Sequence, residues 1–565
     1  MEKEIAPGEK KIRAQSQNEA GVLQSRGKAV PEDMTMGKEM PNRPVEWSVG
    51  YIPYKRAMVS PHKTAIIFED NPITYKELNE RINRAAHFLV RKGIRKGDRV
   101  AVLLLNCIEF LEIYFAASKI GAILLPLNWR LVGPELEYQL NNCSARLLVF
   151  HDSFLGSVDL IRGRLKVEQD KFIFLKSGSP LPKGFEAPRC PEWAGDYGEL
   201  VKDQPAIEPH LEQPVGLDDP LAILYTSGVT GNPKGAMVSH MQTFFKNFQV
   251  GIYIDAQQDD VVIAQMPLFH SGGLFIVATP ALCGGMTMVM RRGFDPNEFA
   301  EDIQRYRGTI VFALTTMWRL ILDTGKLDQI DVSSVRCVVG GGERTPPSLI
   351  QELAKRNLYM QQGFGQTENS AMMLLPREDI QRKMGSIGKP GFFTEIWISD
   401  GNGRRLPPGE IGEICAKGPT VMSGYWDLPE ETAKAITNGG VLHTGDLGYT
   451  DEEGYFYIVD RVKDMYRSGG ENVYPAEVEK ILMTHPKISM AAIIGVPDER
   501  WGETGMAFIV PAPNQTITDQ EILDYLKDKV ARYKYPAKFK FMTELPLTGT
   551  MKVRKAELKE KYTKV

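Results

Sequence analysis

Helical and strand patterns alternate between residues 74 and 150, and this alternation constrains the fold more than any other feature of the sequence. Thr74 and Glu77 have the spacing of a capping box, which predicts a helix that begins at Tyr75. Its amphipathic pattern continues to Lys92, and Gly93 can end it. Such alternation predicts a largely parallel sheet covered by helices. The elements expected after this first helix are strands at 99–105, 122–126 and 146–150 and a helix at 108–119.

The chain is too long for a single hydrophobic core, because cores stop growing at about 250–300 residues and this sequence has 565. No aromatic residue precedes Trp47, so the first residues offer too little apolar surface to fold alone. After Asp451 the pattern changes, and a capping box at Thr518 and Glu521 begins a new helix. We therefore predict an α/β multidomain protein with a disordered tail at 1–45, an N-terminal domain at 46–462 and a small α+β C-terminal domain at 463–565.

Charge and cysteine usage exclude several classes of protein. The 68 basic and 71 acidic side chains give a net charge of -3, so no nucleic acid partner is expected. The six cysteines are scattered and form no CxxC pair, which argues against both a zinc site and a disulfide framework. This usage favours a reducing compartment and a cytoplasmic location. The sequence does not predict an oligomeric state.

One apolar stretch, Leu268–Met290, is long enough to span a bilayer and carries no formal charge. It also contains His270, Pro280 and four glycines, which favour a buried helix followed by a strand. We therefore predict no transmembrane segment, although peripheral contact with a membrane stays open.

The strongest local motif is YTSGVTGNPKGAMVSH at 225–240. A predicted strand enters a loop with several hydroxyl groups, glycines that let the backbone approach a ligand, and the cation of Lys234. These features predict a phosphate-binding loop, whereas a glycine-rich surface turn is the alternative. The spacing matches neither the Walker pattern GxxxxGK[ST] nor the dinucleotide pattern GxGxxG. The phosphate-binding candidates are Thr226, Ser227, Gly228, Thr230, Gly231 and Lys234.

Further motifs follow in a fixed order: PLFH at 267–270, GGGE at 340–343, GFGQTE at 363–368, HTGDLG at 443–448, and DRVKDMYRSGGENVYPAEVE at 460–479, with Lys552 near the C-terminus. Together with the phosphate loop, they resemble the signatures of the adenylate-forming superfamily, most closely those of bacterial fatty-acyl-CoA or aryl-CoA ligases. The resemblance covers residues from about 50 to 565. It implies a large N-terminal domain of two α/β sheets plus a small β-barrel, followed by a mobile C-terminal domain.

The resemblance also implies a role for particular side chains. Glu368 would bind Mg²⁺, a role that suits a hard carboxylate oxygen, and Asp446 and Arg461 would hold the ribose, although a plain ion pair between them is the alternative. The catalytic set would be Lys552, His270, Thr367 and Glu368. Nucleotide contacts are also implied for Gly341, Gly342, Glu343, Gln362, Gly363, Phe364, Gly365, Thr367 and Ile458. Lys463 would be the hinge, and Ser468, Gly469 and Gly470 would face coenzyme A.

Two positions depart from the pattern of the superfamily. Val229 replaces a common threonine and removes one hydroxyl from the loop, and Met551 stands where glycine usually precedes the catalytic lysine. Because a side chain restricts the backbone, we expect the loop that carries Lys552 to sit differently from that of the superfamily.

The expected activity is an acid–CoA ligase that converts a carboxylate, ATP and CoA into acyl-CoA, AMP and pyrophosphate through an acyl-adenylate. The expected substrate is an apolar fatty acid or ring acid, bound by His270–Ile276, Trp318, Val338–Gly341 and Met372, with Gly272 and Gly273 leaving room for its tail. The alternatives are a carrier-protein-loading adenylation domain, a luciferase-like oxygenase, and a nucleotide-binding scaffold without catalysis.

Overall fold

The computed structural model describes residues 48–178, 188–211, 213–226, 233–342, 345–437, 439–461, 464–468, 471–498, 501–527, 529–530, 532–547 and 552–563, with the backbone alone at 371–372, 461, 467, 471–472 and 502. The predicted tail at 1–45 and the predicted hinge Lys463 lie outside these ranges.

The first large sheet has nine strands and is mainly parallel. Its central strands are short apolar runs that are mostly buried, as expected when helices cover both sides of a parallel sheet. Antiparallel strands lie at each edge. In spatial order the strands are Lys389–Pro390, Asn369–Leu374, Met360–Gln366, Cys337–Gly341, Ile310–Leu314, Val261–Ile263, Thr287–Met290, Thr64–Phe68 and Asn71–Thr74.

The second large sheet has eight strands and a parallel centre. The three strands predicted at 99–105, 122–126 and 146–150 lie side by side in it. The first of them in the sequence lies between the other two. In spatial order the strands are Gly424–Tyr425, Lys234–Ser239, Pro220–Thr226, Ile123–Pro126, Arg99–Leu103, Leu147–His151, Phe172–Leu175 and Gly195–Asp196.

Two smaller sheets complete the fold. The small barrel expected from the sequence corresponds to an antiparallel five-stranded sheet of Glu395–Ser399, Gly412–Lys417, Val441–Thr450, Ile436–Thr437 and Phe456–Arg461. The C-terminal sheet contains Glu471–Val473, Tyr466–Ser468, Gly502–Pro511, Ile488–Asp498 and Lys538–Phe541. Sheets of both kinds with covering helices confirm the predicted α/β multidomain class.

The helices begin where the sequence predicts them. The capping boxes at Thr74 and Thr518 are both formed, each with the glutamate three residues later. The first of these helices ends before Gly93, whose φ is +78°. The helices are Tyr51–Val59, Tyr75–Arg91, Ile108–Ile120, Gly133–Asn142, Leu155–Ile161, Tyr197–Val201, His240–Tyr253, Thr279–Gly284, Pro296–Arg305, Thr315–Asp323, Pro347–Ala354, Pro429–Ala435, Pro475–Leu482, Asp519–Leu526 and Lys555–Tyr562.

The apolar stretch 268–290 forms a π-helix at Gly272–Ala278, a helix at Thr279–Gly284 and a strand at Thr287–Met290. This confirms the buried helix followed by a strand. Among the residues that the structure describes, no helix has both the length and the apolar character needed to cross a bilayer.

The described part of the segment between residues 188 and 211 contains regular secondary structure. It contributes the strand Gly195–Asp196 and the helix Tyr197–Val201. Tyr197 is buried and donates a hydrogen bond of 2.9 Å to Glu112 Oε2. One buried aromatic side chain therefore holds this segment against the core.

Candidate active site

The phosphate-loop motif forms a hairpin that joins two strands of the second large sheet. Thr226 lies opposite Lys234 in the antiparallel pair, and Thr226 Oγ1 donates to the Lys234 carbonyl oxygen at 3.4 Å. The hairpin therefore holds both ends of the loop together. The candidates Ser227, Gly228, Thr230 and Gly231 lie outside the described residues.

Tyr425 connects Lys234 with Glu368, the proposed magnesium ligand, and the sequence did not identify it as a site residue. Its hydroxyl donates to Glu368 Oε1 at 2.9 Å, and Lys234 Nζ lies 5.4 Å from the centroid of its ring. Burial first, and the Glu368 charge second, raise the pKa of Tyr425, so the phenol stays protonated and donates. The signal was weak because Tyr425 belongs to a two-residue strand.

Lys234 also forms an ion pair with Glu431, on the helix Pro429–Ala435. Glu431 accepts a second hydrogen bond from Lys434 at 2.6 Å. The hydrogen bonds from Lys234 and then Lys434 lower the pKa of Glu431 to about 2. The ammonium expected to hold phosphates is thus bound to a carboxylate.

Two neighbouring strand ends supply the glycine-rich wall of the site. Gly341 and Gly363 lie opposite each other in the parallel pair, and a Cβ at Gly341 would approach the Gly363 carbonyl oxygen to 2.6 Å. Gly342 has a φ of +81°, which favours glycine. Only glycine therefore allows this close approach. Glu343 lies outside the described residues.

The residues after Gly363 extend this wall. Phe364 is half-buried and packs against the same apolar cluster as Ile458, with Met373 at its centre. Gln362 is buried, and its Oε1 has no hydrogen-bond partner among the described residues. Thr367 lies in the turn after the strand Met360–Gln366.

The predicted ribose pair lies on adjacent strands. Asp446 stands opposite Arg461 in the antiparallel register, although the side chain of Arg461 is not described. Gln366 Nε2 donates to Asp446 Oδ2 and, at 2.9 Å, to the Thr444 carbonyl oxygen. Gln366 therefore connects the ribose pair with the glycine-rich wall.

An apolar cavity opens at the glycine-rich wall. It is bounded by the helix His240–Tyr253, the π-helix Gly272–Ala278 and the first large sheet. Five predicted nucleotide residues also line it, which joins the two parts of the site. Its walls are Val250, Tyr253, Ile254, Val262, Met266, His270, Ser271, Gly272, Ile276, Val277, Pro280, Ala281, Met286, Ile310, Phe312, Leu314, Val339, Gly340, Gly341, Gly342, Gly363, Phe364, Gly365, Gln366, Met373 and Leu374.

Two expectations about this cavity are wrong. Trp318 does not line it: its side chain is fully buried and packs edge-on against Phe299 at 5.9 Å. Gly273 leaves no room for a substrate, because a Cβ there would lie 2.2 Å from the Pro267 carbonyl oxygen. The side chain of Met372 is not described, whereas its neighbour Met373 lines the cavity. Periodicity predicted burial at these positions but not the neighbour that each one meets.

His270 and Lys552 come from distant parts of the chain and influence each other. Burial first, and the positive charge of Lys552 second, lower the pKa of His270 to about 4, so the imidazole is neutral near pH 7. His270 Nδ1 accepts a hydrogen bond from the Gly272 amide at 3.2 Å. Lys552 therefore lies close enough to the cavity wall for its charge to act on His270.

Lys555, a second lysine close to Lys552 in the sequence, has a different partner. Its Nζ lies 2.7 Å from Glu479 Oε1, and only 16% of each side chain is exposed. Ser468 is buried at the end of a strand of the C-terminal sheet and is not part of the cavity wall. Gly469, Gly470 and the hinge Lys463 lie outside the described residues.

Comparisons with known proteins agree with this arrangement. The AMP-binding enzyme profile matches residues 54–426, and the profile of the AMP-binding enzyme C-terminal domain matches 477–552. The chain is 39% identical to a feruloyl-CoA synthase from Amycolatopsis, over 91% of this chain and 99% of that protein. It is 34% identical to a long-chain-fatty-acid–CoA ligase from Mycobacterium tuberculosis, over 91% and 99%.

A solved structure of o-succinylbenzoate CoA synthetase from Bacillus subtilis, in complex with an acyl-adenylate intermediate, is also similar. Its TM-score is 0.79 at 32% identity, covering 90% of this chain and 97% of that one. From the matched profiles and the near full-length relatives, we conclude that the chain belongs to the AMP-binding enzyme family.

Proposed function

We propose that this protein is an AMP-forming acid–CoA ligase that activates an acid with an apolar body. The carboxylate attacks the α-phosphate of ATP and pyrophosphate leaves. The CoA thiolate then attacks the carbonyl carbon of the acyl-adenylate, and AMP leaves. The observation that carries this proposal is an apolar cavity that residues of the nucleotide motifs help to line, with the charge of Lys552 acting on its wall at His270.

The cavity indicates the class of acid. Most of the side chains that line it are aliphatic or aromatic, which suits an aliphatic chain or an aromatic ring. Met266, Met286 and Met373 are adaptable parts of this wall. The relatives named above carry feruloyl and long-chain fatty acyl groups in their names, and both groups have an apolar body. Acetate lacks one, and a free amino acid carries an ammonium group beside its carboxylate.

The charged residues would have separate roles in the formation of the acyl-adenylate. Lys552 would bridge the carboxylate and the α-phosphate, and Lys234 would hold the outer phosphates, because fixed cations stabilise charge as it moves to the leaving group. Asp446 and Arg461 would hold the ribose. His270 is neutral and therefore does not add a second cation beside Lys552.

Glu368 suits a magnesium ion that accompanies ATP. Its carboxylate offers hard oxygen atoms, and the hydrogen bond from Tyr425 to Oε1 fixes its orientation and leaves Oε2 for a ligand. Mg²⁺ would neutralise part of the phosphate charge. Rotation of the C-terminal domain about Lys463, which would bring Ser468, Gly469 and Gly470 to CoA, stays part of the same proposal.

Pyrophosphate release tests the proposal. Purified protein is incubated with ATP, Mg²⁺ and a panel of acids, with and without CoA. We expect CoA-dependent acyl-CoA and AMP formation with C6–C16 or ring acids. Faster reaction with acetate or phenylalanine contradicts the proposed substrate class. Pyrophosphate release without any transfer to CoA instead favours a carrier-protein ligase.

A further inference from the structure

The helix His240–Tyr253 has a polar buried face that the proposed reaction does not explain. Its side near the C-terminus, Val250 and Tyr253, lines the acid cavity. Lys246 precedes these residues by four and seven positions, so all three share one face of the helix. Lys246 therefore stands about 6 Å further along the same wall, one helical turn before Val250.

Lys246 is buried, and none of the residues that the structure describes forms a hydrogen bond with its Nζ. Its side chain is fully buried, and its Nζ contacts no acceptor among the described residues. Burial lowers the pKa of Lys246 well below its usual range, and its Nζ lies 4.3 Å from the ring centroid of Phe275, on the π-helix that supplies another wall of the cavity. A cation–π contact compensates only part of the cost of burying a charge.

Lys119 shows how this protein satisfies a buried lysine for structural reasons. Its Nζ donates to Asn79 Oδ1 at 2.7 Å, to Asn83 Oδ1 at 2.6 Å and to Glu208 Oε1 at 2.7 Å. Lys246 has none of these. A lysine kept in a core without partners is costly for stability, which points to a ligand that supplies one.

Other unpartnered polar atoms surround the same region. On the helix they are the Thr243 hydroxyl and the amide groups of Gln242 and Asn247. The strand Asn369–Leu374 packs against this helix and adds Asn369 Nδ2 and the Ser370 hydroxyl. We call this set, with Lys246, the polar chamber.

The polar chamber continues the acid cavity on both elements. On the helix, Val250 lines the cavity and the chamber residues precede it. On the strand, Met373 and Leu374 line the cavity, and Asn369 and Ser370 precede them. The residues of the polar chamber and the residues that line the apolar cavity therefore occupy successive positions on the same helix and on the same strand.

We propose that the polar chamber, with Lys246 as its cation, binds a second oxygen-bearing group of the acid substrate, separate from the carboxylate that is activated. This inference rests on the proposed function and narrows it. The substrate would be a dicarboxylic or hydroxyaryl acid with an apolar middle. A plain fatty acid would present only methylene groups to Lys246 and leave its ammonium unpaired.

Matched acids test this inference. Straight-chain dicarboxylates of 6–12 carbons are compared with the monocarboxylates of equal length, and 4-hydroxycinnamate with cinnamate. The parent enzyme should prefer the oxygen-bearing member of at least one pair by about tenfold or more in kcat/KM, as expected for a buried hydrogen bond to a charged group. Lys246→Met, which keeps the length of the side chain, should bring that ratio close to one and keep activity on the plain acid.

Thr243→Val serves as a second variant, because it removes another unpartnered polar atom and almost preserves shape. It should lower the same ratio by a smaller factor. Thermal unfolding checks folding, and Lys246→Met should unfold no earlier than the parent, since it removes an unpaired charge. A parent preference for the plain acids, or a ratio that Lys246→Met leaves unchanged, overturns the inference. Absence of pyrophosphate release with every acid instead overturns the proposed function, and the inference falls with it.

Discussion

Because Lys234 forms an ion pair with Glu431, ATP has to compete with the Glu431 carboxylate for Lys234. Lys234 and Glu431 are about one quarter exposed, at 23% and 27%. Lys434 pairs with Glu431 as well, so Glu431 keeps a cation when Lys234 leaves. We therefore predict that Glu431→Gln lowers the KM for ATP, because Lys234 no longer has to break an ion pair to reach phosphate.

The magnitude follows from the exposure of the pair. Partly exposed ion pairs shift an equilibrium by roughly two- to fivefold, so the KM for ATP should fall by about that factor while kcat changes little. The advantage should shrink at about 0.5 M salt, where exposed charges are screened.

The assay is initial-rate pyrophosphate release against ATP concentration, at saturating acid and Mg²⁺. Glu430→Gln is the matched control, because Glu430 is exposed on the same helix and the charge change is identical. Equal effects of the two variants would mean that net charge, and not the ion pair, controls ATP binding. A higher KM in Glu431→Gln would refute the competition and show that Glu431 holds Lys234 in its productive position.

Two other predictions concern Lys552 and His240. Lys552→Ala should slow adenylate formation by about 100-fold or more and spare thioester formation from a prepared acyl-adenylate; single-turnover rates that match the parent in the first step remove Lys552 from catalysis. His240 is buried, its Nδ1 accepts from the Val49 amide at 3.1 Å, and burial lowers its pKa to about 4. The unfolded chain therefore binds this proton below about pH 6.5, whereas the folded protein binds it only near pH 4, so acidification across that window should cost on the order of 3 kcal/mol of unfolding free energy. Urea unfolding of the parent and of His240→Asn between pH 7 and pH 4 should show a shallower slope in the variant, and equal slopes would contradict the assignment.

The sequence by itself determined the local elements and the chemistry of the motifs. The capping boxes at Thr74 and Thr518 predicted helices that the structure contains, because a cap depends on residues only three positions apart. The apolar runs predicted strands because a strand that is buried on both faces is a run of consecutive apolar residues, which is also a local pattern. The motif order also identified the superfamily, and the family matches confirm it.

Only the tertiary structure decided which side chains meet. Glu431 lies 197 residues from Lys234, and Tyr425 lies 57 residues from Glu368, so no local pattern predicts either contact. Gly273 was misread because its neighbour is a backbone carbonyl that comes close only after the chain turns at 267–270. Lys246 is a polar residue of the helix His240–Tyr253, and the packing of that helix buries its side chain. Periodicity reports that a position is buried, whereas the partner at that position depends on how distant elements pack together.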